Sequence, residues 1–293
     1  MKTIGFIGLG AMGLPMAVNL LRKGFRVAGF DLRAAALEEL ERTQGRAGSS
    51  AADCAKGADA LVLMVVSAAQ AEDSLFARGA LEALPEKSCV ILMATCAPAD
   101  VERIAERVTA TGRAFLDAPV SGGVVGARAA GLTIMVGAPK STFDAAKPVL
   151  DALGEKIFHV GEKPGQGAMA KTVNQLLCGV HIAVAAEALS LASKVGVDRA
   201  VMLEILGGSA ASSWMLKDRG PRMLDPGPEV SSAVDIFVKD LGIVMAAGRD
   251  AKAALPFAAL AHQLFLSVSG QGGGGADDSQ VIRAFTALNG AAR

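Results

Sequence analysis

The 293-residue sequence has no tyrosine, only one tryptophan, and no excess charge, since 29 lysines and arginines balance 29 aspartates and glutamates. Proteins that bind nucleic acid usually carry a basic patch interleaved with aromatic residues, so this composition argues against such a partner. The sequence also lacks an uninterrupted run of 18 apolar residues. We therefore expect no membrane-spanning helix.

Cysteine is scarce as well. The four cysteines show neither C-x-x-C nor metal-ligand spacing: Cys54, Cys89, Cys96 and Cys178. This pattern predicts no disulfide framework and no metal site, and it is typical of a protein of the reducing cytoplasm. Hydrophobic residues make up 52% of the chain. So apolar a chain is expected to bury surface in a homo-oligomer, either a homodimer or a homotetramer.

The order of apolar and charged segments predicts two domains. Up to residue 163, short apolar runs alternate with alanine-rich, charged segments, which indicates parallel β-α-β units. Strands are predicted at 4–8, 25–30, 60–66, 89–93, 114–117, 133–136 and 157–160. Helices are predicted at 11–23, 34–43, 50–56, 68–77, 99–110 and 141–153. Residues 164–293 carry helical patterns only, at 169–195, 200–206, 235–248, 256–269 and 279–288. We expect the helical domain to close a cleft over the α/β domain.

A glycine pattern between the first predicted strand and helix indicates the ligand of the α/β domain. The G-x-G-x-x-G pattern is formed by Gly8, Leu9, Gly10, Ala11, Met12 and Gly13. In such a loop the first glycine makes the tight turn, the second lets a pyrophosphate approach the backbone, and the third lets the helix pack closely. Asp31 follows Gly13 by 18 residues, at the end of the next strand. Its carboxylate suits the ribose hydroxyls and repels a 2′-phosphate, so the sequence predicts a Rossmann domain that binds NAD.

Two polar segments follow later strands of the predicted sheet. Thr95 comes after the strand at 89–93, where its hydroxyl either faces a nicotinamide or caps the next helix. Ser121, Gly122 and Gly123 follow a strand that ends in Asp117. This segment is either a simple turn or a nest of N–H groups that binds a carboxylate.

Two polar groups interrupt apolar helices of the second domain. Lys171 and Asn174 are three residues apart and share one helix face. A lysine removed from water suits proton exchange with an alcohol or carbonyl oxygen. Lys239 and Asp240 form either a solvated pair or a cation directed at the cleft.

Four segments, in this order, resemble the β-hydroxyacid dehydrogenase family, which includes 3-hydroxyisobutyrate dehydrogenase and tartronate semialdehyde reductase. The segments are GLGAMGLPMAVNL at 8–20, DAPVSGG at 117–123, GQGAMAKTVN at 165–174 and KDLG at 239–242. The resemblance covers nearly the whole chain. It implies NAD-dependent oxidation of a small hydroxy acid, with Thr95 and Lys239 in contact with the cofactor.

The resemblance also implies the roles of the substrate site. Lys171 matches the general acid/base, the 121–123 turn matches the segment that binds the substrate carboxylate, and Asn174 matches a substrate-holding asparagine. The family usually has a second asparagine next, where this chain has Gln175, so we expect substrate contacts at Gln175 to differ. Residues 171–191, 212–215 and 220–223 resemble the branch that acts on L-threonate.

The alternatives within the family are a 3-hydroxyisobutyrate dehydrogenase and a reductase of tartronate or succinic semialdehyde. A further alternative, of another class, is a catalytically silent NAD-binding sensor. The presence of Lys171 argues against that alternative.

Overall fold

The computed structural model describes residues 1–290 of the chain, which divide into two compact units. The first unit is Met1–Lys171 and the second begins at Thr172. The sequence predicted a division between residues 163 and 164. The observed division lies a few residues later, inside the helix that begins at Gln166.

The first unit is built on a nine-stranded sheet. Its strands are β1 (Thr3–Ile7), β2 (Arg26–Phe30), β3 (Arg46–Ala47), β4 (Ala60–Leu63), β5 (Cys89–Leu92), β6 (Ala114–Asp117), β7 (Val120–Ser121), β8 (Leu132–Gly137) and β9 (Gly154–Gly161). The order is β3-β2-β1-β4-β5-β6-β8-β7, with β9 paired to β8. The first six strands are parallel, and β8 runs antiparallel to β6 and β7. The order 3-2-1-4-5-6 confirms the predicted Rossmann fold.

Helices cover both faces of this sheet. They are α1 (Gly13–Arg22), α2 (Ala34–Arg42), α3 (Ala51–Ala55), α4 (Ala68–Glu72), α5 (Ala80–Ala83), α6 (Pro98–Thr109), α7 (Gly123–Ala129) and α8 (Lys140–Asp151). Phe6 and Met16 lie in the core of one face, and Leu61 and Leu75 in the core of the other. Strands buried on both faces explain why their sequences are apolar throughout.

A 29-residue helix, α9 (Gln166–Lys194), continues from the first unit into the second. By length and composition α9 could cross a membrane, although the sequence predicted no such helix, and 44% of its apolar window is buried inside the protein. The core helix of a globular enzyme passes the same test. The helical second unit continues with α10 (Arg199–Gly208), α11 (Trp214–Leu224), α12 (Val234–Asp250), α13 (Pro256–Val268) and α14 (Ile282–Asn289).

The sequence did not predict several short or glycine-containing helices and strands. Strands β3 and β7 have two residues each, and α5 has four, which is too short for a periodicity. Helix α11 contains Gly220 and Pro221, which weaken a helical pattern. A Cβ at Gly220 would lie 2.3 Å from Leu203 Cδ1, so the glycine allows α10 and α11 to pack closely.

The glycine-rich run at 269–275 is an ordered turn, although a run of this composition is typical of a flexible connection. Ser269–Gly273 forms one π-helical turn after α13. Ser269 Oγ donates to Asp235 Oδ1 at 2.6 Å, and Asp235 N donates to Gly274 O at 3.0 Å. A Cβ at Gly274 would lie 2.3 Å from Asp235 Oδ2, so the absence of a side chain lets the run pack on the start of α12.

Two arginines of α11, the buried Arg219 and the half-buried Arg222, bind the 3₁₀ turn Asp278–Val281 and the residue before it. Arg219 donates from Nε and Nη2 to the two oxygens of Asp278, at 3.0 and 2.8 Å. Arg222 Nη1 donates to Asp277 Oδ2 at 2.8 Å. Arg219 is 6% exposed and Asp278 0%. These ion pairs therefore join two segments that are distant in sequence, inside the second unit.

Candidate functional site

In the glycine loop between β1 and α1, the space available for a side chain differs from one glycine to the next. Gly8 has φ +92°, and a Cβ there would lie 2.5 Å from Met64 O. A Cβ at Gly13 would lie 1.8 Å from Gly8 O, so α1 can start this close to the strand only with glycine. At Gly10 a Cβ would meet only Arg33 Nη2, at 3.9 Å. Gly10 therefore faces open space, where a ligand could approach the backbone.

The start of α1 suits an anion. The helix has no side-chain cap and no acidic residue in its first turn. The first N–H groups of a helix have no partner within it, and they carry a partial positive charge. A pyrophosphate beside this loop would be bound by those groups.

Asp31, the residue after β2, is bound to the same loop. Leu9 N donates to Asp31 Oδ2 at 2.8 Å, while Arg33 donates to Oδ1 from its backbone N at 2.9 Å and from Nε at 3.0 Å. Burial opposes ionisation, but the hydrogen bonds from Arg33 and Leu9 outweigh it and lower the pKa of Asp31. The carboxylate is therefore ionised at neutral pH.

Arg33 lies over this carboxylate and the loop. Its Nη2 group donates to Leu9 O at 3.0 Å, besides its contacts with Asp31. The Arg33 side chain is 62% exposed, whereas that of Asp31 is 12% exposed. The arginine thus covers the carboxylate from the solvent side.

Thr95 lies at the same edge of the sheet as the glycine loop, because β1, β4 and β5 are parallel neighbours. Helix α6 begins at Pro98, and its N-cap is Ala97. The capping interpretation of Thr95 is therefore wrong. Thr95 lies between the end of β5 and the start of α6, at the edge where ligands of such sheets bind.

The 121–123 turn joins β7 to α7. Gly122 has φ +126° and Gly123 has φ +60°, and both values lie in the region that favours glycine. Gly122 is also the N-cap of α7. The three residues are partly exposed, so this turn lies at the surface of the first unit.

Asp117 anchors the N-terminus of α9, a function that the sequence analysis did not assign. Its Oδ2 atom accepts from Gly165 N at 3.0 Å and from Ala168 N at 2.8 Å. Burial raises the pKa of Asp117 from 3.8 to about 7, although the N–H groups of Ala168, Gly165 and Gly167 lower it. Because the pKa is raised, the contribution of this carboxyl to the free energy of unfolding is complete below pH 3.8. It is lost as the pH rises through about 7.

Lys171 lies on α9 three residues after Ala168, at the end of the first unit. It is 6% exposed, and lysines are almost never buried to this extent without a specific use. Asn174 follows on the same helix face, in the second unit. Cys178 Sγ lies 3.7 Å from Asn174 Oδ1.

Gln175 and Lys239 meet at Asp240 within the second unit. Gln175 Nε2 donates to Asp240 Oδ2 at 2.5 Å, and Lys239 Nζ lies 2.8 Å from Asp240 Oδ1. Gln175 and Asp240 are both buried. The adjacent charges of Lys239 and Asp240 were visible in the sequence, but the hydrogen bond from Gln175 to Asp240 was not.

Ser213, in the 212–215 segment, has a structural partner. Ser213 Oγ accepts from Leu216 N at 3.0 Å and so caps α11. In the part of the chain from 1 to 290, no three His, Cys, Asp or Glu side chains form a group that could hold a metal ion. Burial raises the pKa of Cys54 and of Cys89 to about 12, so these thiols are unreactive. A cavity of about 770 Å³ is lined by Arg22, Arg26, Arg42 and Arg46, and it includes none of the predicted cofactor residues.

Comparison with known families supports these features over most of the chain. A family model described as the NAD binding domain of 6-phosphogluconate dehydrogenase matches residues 3–161. A second, described as the NAD-binding domain of NADP-dependent 3-hydroxyisobutyrate dehydrogenase, matches residues 165–285.

Two relatives of matching length are named as dehydrogenases of hydroxy acids. An L-threonate dehydrogenase of Cupriavidus necator is 42% identical, over 98% of this chain and 97% of that protein. A 3-hydroxyisobutyrate dehydrogenase of Pseudomonas aeruginosa is 39% identical, over 90% of this chain and 91% of that protein. The crystal structure of a 3-hydroxyisobutyrate dehydrogenase from Salmonella typhimurium matches with a TM-score of 0.93 and 39% identity, over 97% of this chain and 99% of that chain.

Proposed function

Since this chain belongs to the β-hydroxyacid dehydrogenase family of NAD-binding oxidoreductases, we propose that it oxidises L-threonate to the corresponding 2-oxo acid. The observation that carries this choice of substrate is the full-length similarity to L-threonate dehydrogenases. The polar character of the 121–123 turn and of Lys171 and Asn174 is consistent with a small acid that bears hydroxyl groups.

The proposed mechanism assigns one task to each group. Bound NAD supplies the hydride acceptor. The Ser121 hydroxyl and the N–H groups of the turn bind the substrate carboxylate, and Asn174 holds the hydroxyl beside it. Lys171 Nζ, in its neutral form, removes the hydroxyl proton as the C–H hydride departs, and later releases that proton to solvent. The products are a 2-oxo acid, NADH and one proton.

The cofactor contacts are also part of the proposal. The 8–13 loop binds the pyrophosphate, Asp31 accepts from the ribose hydroxyls, and Thr95 and Lys239 contact the nicotinamide half. We further propose that the enzyme acts in the cytoplasm as a homodimer or homotetramer. On α9, the apolar side chains of Val173, Leu177, Val184 and Leu191 are 64%, 52%, 48% and 60% exposed, which is consistent with an interface between copies.

Three alternatives are testable in the same assays. The second candidate is a 3-hydroxyisobutyrate dehydrogenase, favoured by the similarity to the Pseudomonas aeruginosa enzyme. A semialdehyde reductase of the same family would share the site and run in the opposite direction. A catalytically silent NAD-binding protein is disfavoured by the burial of Lys171.

L-threonate is expected to exceed 3-hydroxyisobutyrate by at least tenfold in kcat/KM with NAD. A site built to bond hydroxyl groups leaves polar atoms unpaired when an analogue lacks those groups. The measurement is NADH formation at 340 nm across a panel of hydroxy acids. The reverse ranking would assign the chain to the 3-hydroxyisobutyrate dehydrogenases, and D-threonate serves as the control for stereochemistry.

NAD is expected to exceed NADP by at least tenfold in kcat/KM, because the ionised Asp31 repels a 2′-phosphate. Asp31→Ser removes that repulsion and should reduce the preference to about threefold or less. Glu39→Gln, an exposed position on the neighbouring helix α2, is the matched control and should keep the wild-type ratio. Equal use of both cofactors by the wild type would contradict the assignment.

A further inference from the structure

Asp117 is the buried carboxyl of the first unit for which the proposed mechanism has no use. It is the last residue of β6, 1% exposed, and its Oδ1 atom makes no hydrogen bond to any residue of the described chain. A carboxyl group with one unsatisfied buried oxygen costs stability. Stabilisation of the fold alone therefore does not account for this carboxyl group.

The other oxygen holds the first turn of α9. Gly165 N and Ala168 N donate to Asp117 Oδ2 at 3.0 and 2.8 Å. Asp117 thus supplies an acceptor to backbone N–H groups at the start of the helix.

The packing around this contact is tight. A Cβ at Gly167 would lie 2.6 Å from Met135 O and 3.0 Å from Asp117 Oδ2. A Cβ at Gly137 would lie 2.8 Å from Gly167 N. The start of α9 therefore rests directly on β6 and β8, with Asp117 as its polar anchor. Glu102 of α6 also lies against this turn, since its Oε1 atom would be 2.8 Å from a Cβ at Gly165.

Lys171 follows Ala168 by three residues, which is about 4.5 Å of helix rise. A change in the height or rotation of the first turn moves Lys171 with it. We propose that Asp117 is a positioning residue, which fixes the first turn of α9 on the sheet and so places Lys171 for proton transfer. This inference rests on the proposed function of Lys171. Displacements of about 1 Å at a reacting group can lower a rate by about 10²-fold.

The test is Asp117→Asn, which keeps the shape of the side chain and removes its charge. At pH 8, where the wild-type carboxyl is ionised because its pKa is about 7, the variant no longer buries a charge. We expect kcat to fall at least tenfold on the best hydroxy acid of the panel. The Kd for NAD should stay within twofold and Tm at or above the wild-type value. Hydrogen exchange of the 165–168 amides should be at least tenfold faster.

Asp59→Asn is the matched control. Asp59 also accepts from two backbone N–H groups, those of Lys2 at 2.6 Å and Thr3 at 2.9 Å, but at the beginning of β1. The Asp59→Asn variant should keep the wild-type kcat.

Two results overturn the inference. The first is a kcat of Asp117→Asn within twofold of the wild type. The second is a loss of kcat that is matched by a lower Tm, because that result would assign Asp117 a structural role only. Lys171→Ala is assayed in parallel. If that variant is fully active, the proposed function fails; if it is inactive while Asp117→Asn is fully active, the positioning inference alone fails.

Discussion

Replacement of Lys171 by alanine is expected to lower kcat by about 10²–10⁴-fold, the range that a general acid/base usually contributes. The lysine is 6% exposed and lies on α9 one turn after the Asp117 anchor. Alanine is a good helix former, so α9 should persist. The Kd for NAD should change little, because the glycine loop and Asp31 are elsewhere on the first unit.

Single-turnover and steady-state NADH formation measure the loss, and titration of protein fluorescence with NAD measures binding. Lys156→Ala, at an exposed position on β9, is the matched control and should behave as the wild type. A folded Lys171→Ala protein that keeps more than about a tenth of kcat would remove the acid/base role from this residue.

Replacement of Asp278 by alanine is expected to lower the free energy of unfolding by about 3–5 kcal/mol, the usual cost of breaking a buried ion pair by removing one of its members. Arg219 would lose both of its hydrogen bonds to that carboxylate and would keep Asp218 as its remaining acidic partner. Urea unfolding followed by circular dichroism gives the value.

The double variant Arg219→Met, Asp278→Leu distinguishes the effect of an unpaired charge from the effect of losing the ion pair itself. Because it removes both charges, we expect it to recover most of the stability lost in Asp278→Ala. Asp250→Ala, at the exposed end of α12, should change the free energy of unfolding by less than about 0.5 kcal/mol. An effect of Asp278→Ala as small as that of the control would show that Arg219 is solvated.

The sequence predicted those parts of the fold that have a regular pattern of apolar residues or a backbone conformation that requires glycine. Parallel strands buried on both faces are continuous apolar runs, so β1, β4 and β5 were located to within a few residues. The glycine loop was recognisable because two of its positions require glycine. Gly8 has φ +92°, and a Cβ at Gly13 would lie 1.8 Å from Gly8 O.

The parts that sequence did not predict depend on partners far away in the chain. Asp117 and Gly165 are 48 residues apart, and Gln175 and Asp240 are 65 apart. No local pattern reports which carboxylate meets which N–H group. The same holds for the cap of α11, because the sequence alone does not show that Ser213 Oγ accepts from Leu216 N.

The geometry at Asp31 makes cofactor binding an exchange of partners. A carboxylate offers about four acceptor positions. Those of Asp31 already receive Leu9 N at 2.8 Å, Arg33 N at 2.9 Å, Arg33 Nε at 3.0 Å and Arg33 Nη2 at 3.3 Å. On the proposed role of Asp31, each ribose hydroxyl has to displace a donor that is in place, and the exposed Arg33 side chain is the one able to leave. If Asp31 binds the ribose as proposed, the affinity that it adds for NAD is the difference between two sets of hydrogen bonds, and release of the Arg33 side chain is part of the binding equilibrium.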